Sequence, residues 1–145
     1  MSKIPKKIFF KNNKFFLRSA VEDDRKFIYN LITEFLTMNL SVTFLKMPSF
    51  DEFFKNKIER FIISDGTQSY GFVQILDNNE VGYFLDEQFR SKGLGTEAVE
   101  LLMKFVPRKR YFATINDKNE PSKKLITKLG FKPKATIYEK IIDPD

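Results

Sequence analysis

The chain has 145 residues, of which 42% are hydrophobic, and carries a net charge of +6; this suits one domain with its own core and excludes a wholly disordered polymer. It has no cysteine and no histidine, which excludes disulfides, cysteine or histidine metal sites and a Ser-His-Asp triad. The basic balance admits a nucleic acid, an acidic membrane or a phosphorylated small molecule as partner. The opening "MSKIPKKIFF" has charge but no long apolar stretch, so no signal peptide is expected. "KIFFKNNKFFLR" then reads as a hairpin, with apolar runs on either side of Lys11-Asn12-Asn13-Lys14. Glu22, Asp23 and Asp24 suit a first helical turn, and Phe27, Ile28, Leu31, Ile32, Phe35 and Leu36 form one helical face. Ser49-Phe50-Asp51-Glu52 is a capping box that predicts a short second helix. Arg60–Ser64, Ser69–Leu76 and Val81–Leu85 read as an antiparallel meander, separated by Asp65-Gly66 and Asp77-Asn78-Asn79 turns. A helix over Gly95–Val106, stopped by Pro107, comes next. "RYFATIN" is expected as a strand, Asp117–Leu129 as a helix ended by Gly130, and "FKPKATIYEKII" as a final strand or strand pair. The order predicts a mixed α/β sheet with helices around it, in a single domain over residues 1–145.

The segment Arg90-Ser91-Lys92-Gly93-Leu94-Gly95 joins two cations and two glycines to the start of a helix. A helix N-terminus offers unpaired N–H groups and the positive end of its dipole, and glycine lets the backbone approach a ligand closely. The combination suits an anion, most often a phosphate. Tight packing accounts for such a turn equally simply. A P-loop is absent, and a dinucleotide fingerprint fails because the third glycine is missing.

The turn, with "EVGYFLDEQF" before it and Thr96-Glu97-Ala98 after it, resembles the GNAT acetyltransferase superfamily. Within it, the likeness is to the branch that acetylates N-terminal amines of ribosomal proteins. "NEPSKKLITKLGF" resembles that branch's Asn-x-x-Ser … Lys-Leu-Gly-Phe segment, and "FFLRSAVEDD" its first strand and helix. The resemblance spans nearly the whole chain. It implies the acyl-CoA N-acyltransferase fold, with about six to seven strands flanked by four helices, and a cytoplasmic acyltransferase with acetyl-CoA as cosubstrate. It also implies donor contacts from Phe84, Leu85, Arg90, Ser91, Lys92, Gly93, Leu94, Gly95, Thr96 and Asn119. The pyrophosphate would lie on the backbone from Lys92 to Thr96, and the pantetheine arm along Phe84 and Leu85.

Acetyl transfer needs an amine freed of its proton and a proton for the leaving thiolate. The resemblance points to Glu80 as base and to Ser122 as acid. The tyrosine that many members carry in the last helix is replaced here by Ile126, so Tyr83 and Tyr138 stand in reserve. An ordinary strand-end acid and an ordinary first-turn serine are the plain alternatives. The acceptor is an amine held by about residues 30–57, either a protein N-terminus or a small molecule. No metal, membrane or nucleic-acid partner is expected, and the chain is expected as a monomer or homodimer. Two other readings stay open: a coenzyme A-binding module without turnover, and a basic RNA- or ribosome-binding protein carried by Lys3, Lys6, Lys7 and Lys11.

Overall fold

The computed structural model describes residues 8–10, 15–38 and 47–142. Among them five strands form one antiparallel sheet in chain order: β1 Ile8–Phe10, β2 Phe16–Ser19, β3 Glu59–Ser64, β4 Ser69–Ile75 and β5 Val81–Leu85. The expected hairpin is β1 paired antiparallel to β2; its Lys11–Lys14 turn lies outside the described residues. The acidic triplet Glu22–Asp24 forms a tight helical turn that leads into α1, Arg25–Met38. Asp24 fastens this entry. Its carboxylate accepts from both Nη groups of Arg18 at 2.8 and 2.9 Å and from the Val21 amide at 2.8 Å. Helix α2 is Phe50–Phe53, α3 is Leu94–Phe105 and α4 is Glu120–Lys128.

The sheet lies between two helical layers. One face, built from Leu17, Phe61, Ile63, Val73, Ile75 and Val81, packs against Ala98, Val99, Leu101 and Leu102 of α3. The other, with Ile62 and Phe72, packs against Ile28, Leu31, Ile32 and Leu36 of α1. Cover on both faces explains why β3 is buried from Arg60 to Ser64 instead of alternating. Phe72 is fully buried and stacks on Phe84 at 5.0 Å, and Phe84 meets Phe35 of α1 edge-on at 5.5 Å. No described helix is long and apolar enough to cross a membrane.

The five strands among the described residues compare with the six to seven expected of the whole chain. "RYFATIN" contributes only an isolated parallel bridge, Phe112 to Glu80. Residues 132–141 carry no strand, and Ile137 and Tyr138 are exposed. A strand needs a neighbour to accept its ladder bonds, and β-branched composition alone supplies none.

Candidate active site

The bridge at Phe112 sets the shape of the site. The Val81 amide donates to the Phe112 carbonyl at 2.8 Å, and the Phe112 amide to the Asn79 carbonyl at 3.2 Å. Beyond it, residues 113–116 make no ladder with β5. The two stretches part, and one edge of β5 is left open. Alternation decides which backbone groups face that opening. Val81 points toward Phe112, so Tyr83 and Leu85 point the same way. The groups of Gly82 and Phe84 point to β4, opposite Gln74 and Phe72. Of the two residues expected to line the pantetheine arm, Leu85 therefore faces the opening and Phe84 faces β4.

The glycine turn lies at the C-terminal end of β5. Ser91 and Gly93 both take left-handed backbone, with φ of 63° and 79°. Such a conformation is uncommon for serine and free of cost for glycine. Gly93 is the N-cap of α3, and the Glu97 amide donates to its carbonyl at 3.2 Å. The amides of Leu94, Gly95 and Thr96 precede the first intrahelical bond and have no helical partner. A Cβ built on Gly93 would meet nothing within 4 Å, so the turn is open to solvent there. Ser91, Lys92 and Gly93 are exposed. Gly95 is buried, and a Cβ there would lie 2.8 Å from Leu125 of α4 and 3.4 Å from the Tyr83 ring. That glycine lets α3 close onto β5 and α4. These features fit a diphosphate: free amides, a helix dipole, an exposed cation and unobstructed space.

Arg90 is turned away from that space. Its Nε donates to the Leu85 carbonyl at 3.0 Å, and its Nη2 lies 3.5 Å from Glu34 of α1. It ties the end of β5 to the opposite helical layer. Nothing in the sequence marks this pairing, because Glu34 and Arg90 are far apart in the chain.

Asn119 is the N-cap of α4, its Oδ1 accepting from the Ser122 amide at 3.4 Å. Pro121 sits in the first turn, where its missing N–H costs nothing. The Ser122 hydroxyl lies 2.8 Å from the Tyr83 hydroxyl. Burial pushes the Tyr83 phenol above its ordinary range, against a smaller opposing pull from Ser122. Tyr83, held in reserve on sequence, is thus brought to Ser122, whereas Tyr138 is 92% exposed. Glu80 is partly exposed. Its amide donates to Asn78 Oδ1 at 3.0 Å, and its carbonyl accepts from the Leu76 amide at 2.9 Å. Strand alternation puts it on the face of Gly82 and Phe84, across β5 from the Tyr83–Ser122 pair.

The family model for the acetyltransferase (GNAT) domain matches residues 14–132. No curated protein matches the chain by sequence. Among solved structures, RimL, a ribosomal L7/L12 alpha-N-protein acetyltransferase in complex with coenzyme A, is similar with a TM-score of 0.67 and 16% identity; the match covers 89% of this chain and 86% of that one. The ribosomal-protein-S5-alanine acetyltransferase from Vibrio fischeri follows at 0.65 and 20%, covering 87% and 84%. The microcin C7 self-immunity acetyltransferase MccE, in complex with acetyl-CoA and AMP, matches at 0.61 and 18%, covering 83% and 79%.

Proposed function

Because the chain belongs to the GNAT acetyltransferase family, with acetyl-CoA as donor, we propose that it acetylates a primary amine and that the opening beside β5 is where transfer occurs. The observation that carries this reading is the convergence of two features. An open strand edge at Tyr83 and Leu85 runs toward the free amides of Leu94, Gly95 and Thr96. A pantetheine arm pairs with the first while its diphosphate sits on the second. Lys92 adds charge at the turn, Ser91 and Gly93 hold its shape, and Asn119 contacts the pantetheine arm from α4. Arg90 fixes the end of β5 by taking the Leu85 carbonyl on the side of the opening, which leaves the Leu85 amide for the arm.

Acetyl-CoA supplies an acetyl group on sulfur. Transfer breaks the carbon–sulfur bond and forms a carbon–nitrogen bond, while the amine loses one proton and the sulfur gains one. Glu80 takes the proton from the amine, directly or through water. Ser122 gives its proton to the sulfur and takes one from the Tyr83 hydroxyl 2.8 Å away; Tyr83 recovers a proton from water, to which Glu80 releases the one it took from the amine. Base and acid stand on opposite faces of β5, so neither competes for the other's proton. The acceptor class, protein N-terminus or small amine, is read from the family likeness.

Two measurements test the reading. Acetyl-CoA at about a hundred times its Kd should stabilise the fold by ~2.7 kcal/mol, a rise of about 5 °C or more in Tm. Gly93→Asp, which puts a carboxylate against the diphosphate, should remove that rise; a folded Gly93→Asp protein with the full shift overturns the donor site. Thiol release from acetyl-CoA against peptide N-termini, polyamines and amino sugars then identifies the acceptor. Donor binding without release for any of them would leave a coenzyme A-binding module.

A further inference from the structure

A cavity of about 340 Å³ lies at the far end of the sheet from the glycine turn, between the start of α1 and the 54–60 segment. Its size is at the lower end of small-ligand pockets. Its titratable lining is Arg25, Lys57 and Arg60 against a single carboxylate, Glu22, with Ile28 and the Phe54 ring as apolar wall. Arg60 is unusual in this set. It is only 8% exposed. Its Nε donates to Gln74 Oε1 at 2.9 Å, and its guanidinium lies 4.7 Å from the Phe53 ring and 5.8 Å from that of Phe54. No carboxylate among the described residues pairs with it. Arg25 lies 5.3 Å from the Phe54 ring, so two guanidiniums share one aromatic wall.

Buried cations are normally paired, since desolvation without a counter-charge is costly. Cation–π contacts and one amide hydrogen bond offset part of that cost. Burial alone pulls the Arg60 guanidinium down to about 10, with no anion to hold it up. Its Nη groups make no hydrogen bond to the described residues. No side-chain polar atom among those residues is both sealed and unpartnered, so these donors keep access to solvent, and Arg60 lines the cavity. They form a planar fork suited to a carboxylate or phosphate.

We propose that this cavity binds the oxyanion group of a small ligand, a carboxylate or phosphate, on the Arg60 fork, with Arg25 and Lys57 at the rim and the ligand's apolar body against Phe54. The assignment is independent of acetyl transfer. The anion belongs either to the amine acceptor or to a separate ligand, and the two sources are separable by experiment.

Succinate and inorganic phosphate are titrated into the full chain without acetyl-CoA, followed by calorimetry and by amide chemical shifts. Saturable binding with shifts at Arg60 and Phe54 is expected. Arg60→Lys keeps the charge, removes the fork and should weaken binding on the order of tenfold to a hundredfold. The rim pair Arg25→Gln with Lys57→Gln, both at exposed positions, should weaken it less and flatten its salt dependence. Absence of saturable binding, or binding unchanged in both variants, overturns the proposal, whatever becomes of the acetyltransferase reading. Thiol release with an α-amino acid against its amide then assigns the source. A preference for the free carboxylate that Arg60→Lys abolishes places the anion on the acceptor. Anion binding with no such preference assigns it to a separate ligand.

Discussion

Two hydroxyls and one carboxylate around β5 carry the proposed chemistry, and each has a distinct signature. Tyr83→Phe keeps the ring that packs beside Gly95 and removes only the hydroxyl 2.8 Å from Ser122. It should lower kcat several-fold with acetyl-CoA affinity kept, and Ser122→Ala should lower it further. Glu80→Gln should cost about a hundredfold or more in kcat, the lower end of what general acid–base groups contribute. That loss should shrink at high pH, where the amine sheds its own proton; steady-state rates across pH check it. The raised phenol also makes a stability statement. The folded pKa of Tyr83 lies above its unfolded value of about 10, so its contribution is complete below that value and is lost as pH rises through the folded one. The parent should therefore lose melting temperature as pH rises above about 10 to an extent that Tyr83→Phe does not. Asp65 runs the other way. Amides of Thr67 and Gln68 and the Tyr70 hydroxyl hold its carboxyl down to about 2. Its contribution to the β3–β4 turn is present above the unfolded value and lost as pH falls toward 2. Asp65→Asn should remove that acid loss in a pH series of melting temperatures.

At the scale of elements, the cap of α4 joins stability to chemistry. Asn119→Ala should destabilise by ~0.5–2 kcal/mol and, by loosening the turn that holds Ser122, slow turnover as well. Asn119→Asp keeps an oxygen at the cap and should recover most of both, as denaturant unfolding and thiol release would report. Elements of this kind were legible in the sequence because they rest on local rules. The apolar face of α1, the Ser49 cap and the Asp65-Gly66 turn each follow from residues within a few positions, whereas α4 starts at Glu120, three residues after the expected Asp117. The meander was legible for the same reason, its strands matching to within a residue. Pairing with distant chain is where the reading ended. "RYFATIN" has strand composition, yet only Phe112 finds a partner, because β5 and the following stretch diverge. Residues 132–141 form no ladder with the described residues. The side of β5 that faces the opening depends on one bond, Val81 to Phe112, which no spacing reveals. The burial of Arg60 beneath Phe53 and Phe54, and the Arg90–Glu34 contact, likewise arise from packing between remote segments.

Taken as a whole, the molecule is a sheet held between two helical layers, and its ligand-facing groups are those that the sheet itself leaves unpaired. Hydrogen exchange can therefore read the donor site amide by amide. In the free protein, Gly82 and Phe84 are bonded into β4, and Val81 is bonded to Phe112. Their amides should exchange slowly, limited by opening of the sheet. Tyr83 and Leu85 belong to the same strand but face the opening, so their amides should exchange faster despite equal depth in the chain. If the pantetheine arm pairs with this edge, acetyl-CoA should slow Tyr83 and Leu85 strongly and change the already bonded Gly82 and Phe84 much less. Leu94, Gly95 and Thr96 should slow in parallel as the diphosphate takes their free N–H groups. A merely global stabilisation would slow every slow amide of the sheet by a similar factor and leave the alternation in place. A uniform response along Val81–Leu85 would therefore remove β5 as the donor's pairing edge, even if acetyl-CoA binds and raises the melting temperature.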